Sequence, residues 1–321
     1  MKAVSLSLSM LRRALWGVPL ALALTVPHAA ADPLACAAAQ AANLVPQATQ
    51  VQAADATCLQ RYVWQPAAGP VRGVVVIVHG IRDHALRYGA LAEALSAQRI
   101  AVVAQDHRGH GRSGGERQRF DSVEQLMGDV DAGVQYARRS FPGVPVFMFG
   151  HSMGGLVTVH YALANPQALK GVVLSGPALK LGAEATTAKR IAVQVFARVW
   201  PSLPLQEVDD TLFVRSAPAK AAQAADPLIV HDKLPAASVR VFVEGIESAR
   251  ARFASFSTPV LALHGAADVS TDPQGSRDLV EQAPASDKTL HEVPLAAHDL
   301  LHEPEGPELA ARIVAWVNQR L

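Results

Sequence analysis

Short apolar runs alternate with amphipathic stretches along most of the chain. RGVVVIVHG, IAVVAQD, GVPVFMF, GVVLSGP, TPVLALHG and KTLHEVP read as strands. Between them, YGALAEALSAQ, SVEQLMGDVDAGVQYARRS, the segment after 152, a stretch near 273 to 283 and the last segment to Leu321 read as helices. Such alternation predicts an α/β architecture, a doubly wound and mostly parallel sheet. It lapses between Pro177 and Ser257, which predicts a helical cap inserted at about 178–257. Within the cap, KRIAVQVFARVWPSLPL is the most apolar part. Ordinary packing is expected to account for most of Ile191, Val195, Phe196, Val199 and Trp200; the other reading makes part of that surface an acyl pocket or a contact with lipid.

Two stretches fit G-x-S-x-G, the nucleophile turn of serine hydrolases: GRSGG at 111–115 and GHSMG at 150–154. The pattern has chemical meaning only where a strand runs through a sharp turn into a helix, lifting the serine oxygen above the sheet edge. GVPVFMF before Gly150 and MGGLVTVHYALANP after Ser152 supply that frame. Ser113 lies in the glycine-rich, charged DHRGHGRSGGERQ, which reads as a loop, so Ser113 is expected to be structural. Ser152 is the candidate nucleophile.

A serine hydroxyl needs a base within hydrogen-bond reach and a third group to orient that base. Asp268 lies just beyond the strand ending at His264-Gly265, on the rim formed by carboxyl ends of strands. Its competitor Asp272 precedes Pro273 at a helix start, where capping explains it. His298 follows the next strand and is the expected base, ahead of His302; His291 falls inside the strand. His298 and His302 are four apart, but no third ligand accompanies them, so no metal or other cofactor is expected. The negative oxygen formed in acyl transfer needs two fixed donors. The backbone N–H groups of Met153, after the nucleophile, and Ile81, after the first parallel strand, are the candidates.

The first 31 residues combine Lys2, Arg12 and Arg13, the apolar ALWGVPLALALTV, and small residues before Asp32. This is the pattern of a signal peptide cleaved near Ala31, and the apolar run is too short to span a bilayer. The expected product is secreted or periplasmic, with a leader at 32–57 and one large domain at 58–321. Cleavage leaves 26 basic against 28 acidic residues, a net charge of −2 that gives no footprint for nucleic acid. In an oxidising compartment Cys36 and Cys58 are expected to pair.

HGIRDHALRY, QDHRGHGRSGG, FGHSMGG, LHGAADVSTDPQGS and HDLLHEP, in this order, resemble the monoacylglycerol lipase and lysophospholipase branch of the α/β-hydrolases, a likeness covering about residues 60–321 and including DPLI at 226–229 in the cap. The resemblance implies the triad Ser152, Asp268 and His298, oxyanion donors Ile81 and Met153, and head-group contacts at Asp83, His84 and Arg87. Asp83 is shorter than the glutamate common there. The implied activity is hydrolysis of acyl esters such as monoacylglycerols or lysophospholipids through an acyl-enzyme. Peptide or amide hydrolysis on the same fold and a binding protein without turnover are the alternatives. A small acyl-ester or lipid is the expected partner, with transient membrane contact through the cap.

Overall fold

The computed structural model describes residues 46–181 and 187–321; the expected signal peptide and Cys36 lie outside them. In chain order the elements are strands β1 (Gln47–Gln52), β2 (Cys58–Trp64) and β3 (Gly73–Val78), helix α1 (Gly89–Ala97), β4 (Ile100–Gln105), α2 (Val123–Ser140), β5 (Val146–His151), α3 (Met153–Ala164) and β6 (Gly171–Ser175). The cap follows, with α4 (Thr187–Val199), β7 (Pro204–Gln206), α5 (Ala217–Ala225), β8 (Leu234–Pro235) and α6 (Ala236–Arg250). The chain then returns to the sheet through β9 (Val260–Gly265), α7 (Gln274–Gln282), β10 (Lys288–Val293) and α8 (Gly306–Asn318).

The main sheet runs β1-β2-β4-β3-β5-β6-β9-β10. Pairing is parallel from β4 through β10, while β1 and β2 join antiparallel at one edge. Every residue of β3, β5, β6 and β9 is buried, as strands covered on both faces require. One face packs under α2, α3 and α7, the other under α1 and α8, so two apolar cores clamp the sheet. Ser122 caps α2 by accepting from Gln125 N at 3.0 Å, and Arg138 and Arg139 lie in its last turn, where the helix dipole favours cations.

Two features differ from expectation. Residues 47–52, inside the expected leader, form β1 and pair with all of Cys58–Val63. QATQVQ carries one large apolar residue, so an edge strand held by backbone hydrogen bonds leaves little periodic signal. In the cap, packing does not account for the apolar stripe of α4: Val199 is 77% exposed and Trp200 62%, with Ile191, Val195 and Phe196 also exposed. Ala197 is the buried member of that stretch, and α4 rests on α6.

Strand order reverses at β3: the chain leaves to β4 on one side and reaches β5 on the other. The loops after β3 and β5 therefore meet above a crevice at the carboxyl ends, where open α/β sheets bind ligands.

Candidate active site

Ser152 occupies the bend between β5 and α3 with φ 53° and ψ −117°, a conformation that L residues rarely adopt. The bend is tight enough to require glycine on both sides. A Cβ on Gly154 would strike the carbonyl oxygens of Val78 and His79; one on Gly150 would strike Thr158 and Gly154. Sterics of the strand-to-helix crossing thus explain the glycines flanking the serine.

Ser152 Oγ lies 2.9 Å from His298 Nε2, and His298 Nδ1 lies 2.7 Å from Asp268 Oδ2. All three side chains are buried. Burial alone would raise the Asp268 carboxyl, but the charge of His298 and hydrogen bonds from His264 and His298 outweigh it, holding the group well below the usual carboxylate range. An ionised carboxylate only accepts, so His298 carries its proton on Nδ1 and offers the Nε2 lone pair to the serine hydroxyl. Burial pushes His298 down, yet the charge and hydrogen bond of Asp268, with Asp299 and Asp83 behind, leave it above the ordinary histidine value.

The rival residues have other partners. Ser113 Oγ donates to Asp106 O at 2.6 Å and accepts from Gln60 N at 2.8 Å, a loop clasp made with backbone groups. Asp272 accepts from Gln274 N at 2.9 Å and pairs with Lys180 at 2.8 Å. His302 Nδ1 meets Asp299 Oδ1 at 2.8 Å, and His291 lies within β10. Among the described residues, no group of three or more His, Cys, Asp or Glu is arranged to hold a metal.

Ile81 and Met153 flank the serine from the two loops, and Ile81 lines both cavities that open at Ser152. Met153 is the first residue of α3, whose N–H has no intrahelical acceptor. One cavity of about 710 Å³ runs under the cap between Leu181, Phe196, Leu212, Phe213, Phe242 and Val269. The other is a polar recess of about 10 Å³ bounded by Asp83, Arg87, His151, Gln223 and Asp299. Ser152 and His298 sit where the two meet.

The recess is built on a buried charge chain. Arg87 donates to Asp83 Oδ1 at 3.0 Å and to Asp299 Oδ2 at 2.7 Å, and Tyr88 OH donates to Asp83 Oδ2 at 2.6 Å. Both carboxyls are held below their ordinary range: burial opposes this, but Arg87 overrides it at Asp83, and His302 with Arg87 overrides it at Asp299. His84 does not line the recess; its Nε2 bonds Asp226 Oδ2 at 2.9 Å and ties the loop to DPLI in the cap. Of the cysteines, Cys58 opens β2 and is not a free thiol.

Sequence reasoning missed four residues here. Gln223 on α5 is buried with its Oε1 unpartnered at the recess wall, and nothing in its alanine-rich helix marks it. His264 and Thr271, which bind Asp268, and Asp299, beside His298 in sequence, were signalled only by adjacency.

Comparison with known proteins agrees with this fold. The family model for serine aminopeptidase, S33, matches residues 69–305. A monoacylglycerol lipase of Mycolicibacterium smegmatis is 34% identical over 81% of this chain and 92% of its own. The monoglyceride lipase of Homo sapiens is 32% identical over 83% of this chain and 89% of its own. The crystal structure of Paleococcus ferrophilus monoacylglycerol lipase superposes with a TM-score of 0.75 at 34% identity, covering 82% of this chain and 99% of that one. The chain belongs to the serine aminopeptidase S33 family, among its monoacylglycerol lipase-like members, and has their α/β-hydrolase fold.

Proposed function

We propose that this protein hydrolyses monoacylglycerol-like esters, with Ser152 as nucleophile, His298 as base and Asp268 as the group that orients and charges the imidazole. The observation that carries this is the Ser152–His298–Asp268 hydrogen-bond chain opening where an apolar cavity meets a polar recess. Ser152 Oγ attacks the acyl carbonyl as its proton passes to His298 Nε2. The N–H groups of Ile81 and Met153 hold the oxyanion, and His298 returns the proton to the departing alkoxide. Water repeats the sequence in reverse and frees the acid.

Cavity chemistry supports the substrate class. The large cavity exposes mostly apolar atoms, which suits an acyl chain. The recess holds about one water as it stands. A glycerol-sized leaving group therefore enters only as the cap wall at Gln223 and Ile229 gives way. Its two arginines, Arg82 and Arg87, already bond the carbonyls of Val208, His231 and Asp232 and the carboxylates of Asp83 and Asp299, which disfavours lysophospholipids.

The exposed apolar face of α4 fits transient contact with a lipid surface, from which such substrates must be drawn. Export by the first 31 residues and a Cys36–Cys58 bridge belong to the same reading, and N-terminal sequencing of the exported protein checks the cleavage near Ala31.

The deciding experiment is turnover of a panel of monoacylglycerols, lysophospholipids, p-nitrophenyl esters and aminoacyl amides, with fluorophosphonate labelling of Ser152. Monoacylglycerols are expected to give the highest kcat/KM. Preference for aminoacyl amides, or no labelling at Ser152, would overturn the reading.

A further inference from the structure

Five donors converge on the Asp268 carboxylate. Oδ1 accepts from the N–H groups of Ser270 at 2.8 Å and Thr271 at 3.0 Å. Oδ2 accepts from His298 Nδ1 at 2.7 Å and Thr271 Oγ1 at 2.9 Å, and His264 Nε2 stands 3.2 Å away. His264, the next-to-last residue of β9, is fully buried and lines neither cavity at Ser152.

The surroundings of His264 fix its proton. Nε2 faces Asp268 Oδ2, Thr271 O at 3.2 Å and Thr271 Oγ1 at 3.3 Å. A bare lone pair there would point at an ionised carboxylate and a carbonyl, so Nε2 carries hydrogen. Nδ1 then accepts, and Ser276 Oγ at 2.8 Å is its donor. Ser276 is itself fully buried in the first turn of α7. A one-way chain results: the Ser276 hydroxyl donates to His264, and His264 Nε2–H is shared between Thr271 O and the Asp268 carboxylate, whose Oδ2 also accepts from His298.

We propose that His264, oriented by Ser276, is a positioning residue that fixes the Asp268 carboxylate and, by sharing its charge, limits how strongly His298 holds a proton. This rests on the triad reading above. The physical argument is competition: each donor to Oδ2 offsets part of the negative charge that would otherwise stabilise the His298 imidazolium. The other ionisable groups facing His298 are Asp299 beside it, Asp83 from the loop after β3, and His151 at the end of β5, whose ring centroid is 4.8 Å away. The partners of His264 are Ser276, Thr271 and Asp268, and none of those three groups facing His298 is among them.

The test is the pH dependence of kcat/KM on a soluble p-nitrophenyl ester for His264→Leu, His264→Gln and Ser276→Ala. Loss of the donor in His264→Leu is expected to raise the acid-limb pKa by on the order of half a unit. His264→Gln, which keeps an N–H donor, is expected to return it toward wild type, and Ser276→Ala to shift it upward by less. If His264→Leu does not fold, Ser276→Ala, a one-atom deletion at the far end of the chain, decides alone. An unmoved acid limb with Ser152 still labelled by fluorophosphonate overturns the role of His264. So does a shift that Gln fails to reverse, which would mean packing only. Activity surviving in Ser152→Ala would instead overturn the triad reading itself.

Discussion

The backbone at Ser152 is where chemistry and stability oppose each other most directly. A side chain at φ 53° and ψ −117° carries strain of order 1 to 3 kcal/mol, which the packing of β5 and α3 around it sustains. Glycine relieves that strain and alanine does not. Both Ser152→Gly and Ser152→Ala are expected to lose activity, but the glycine variant should be more stable by about 1 kcal/mol after its extra unfolded-chain entropy is counted. Urea unfolding of the two variants checks this, and equal midpoints would mean that the turn is unstrained. This residue was legible because the signature is local: glycines at 150 and 154 are dictated by atoms that a strand-to-helix turn always brings together. His264 was not legible, because its role is set by an aspartate four residues on and a serine twelve residues on, and neither spacing is characteristic of a motif.

At the level of elements, the parallel strands were legible for the same reason that they lie inside: a strand covered on both faces must be nearly all apolar, as GVVVIV is. β1 was not, since an edge strand of QATQVQ depends on backbone pairing and carries little hydrophobic pattern. α4 reads oppositely. Its apolar positions follow helical spacing, which ordinarily marks a core face, yet Val199, Trp200, Ile191 and Val195 are exposed. Sequence periodicity reports an apolar face but not what covers it. A lipid surface as the cover predicts that Val199→Ser with Trp200→Ser lowers binding to phosphatidylcholine vesicles by about tenfold, since each large side chain buried in the interface contributes roughly 1 kcal/mol or more. Turnover of a soluble ester should stay near wild type. Co-sedimentation with vesicles measures the first, and unchanged binding would remove the membrane role of this helix.

The whole molecule carries an unusual load of buried neutral imidazoles, and this sets its response to acid. His79, His107, His110, His151 and His160 are all held below the ordinary histidine value, with burial the leading cause at each; His110 falls to about 3 and His151 to about 4. At His79 the hydrogen bonding itself depends on neutrality: Nδ1 donates to Gly80 O at 2.7 Å, and Nε2 accepts from His107 N at 2.8 Å, an acceptor that protonation would abolish. Between the unfolded value near 6.5 and the folded values, the unfolded chain binds more protons than the folded one. Stability therefore falls as pH falls through that window, with a slope of up to about 1.4 kcal/mol per pH unit for each such histidine. His298 and His302 act in the opposite sense, since their raised values give stability that is present below about 6.5 and fades as pH rises through the folded values. Six lowered groups, counting His291 in β10, outweigh two raised ones. Tm is expected to drop steeply from pH 7 to pH 5, before the carboxylates protonate. A Tm that stays flat across that interval in scanning calorimetry would show that these histidines are not neutral in the folded protein.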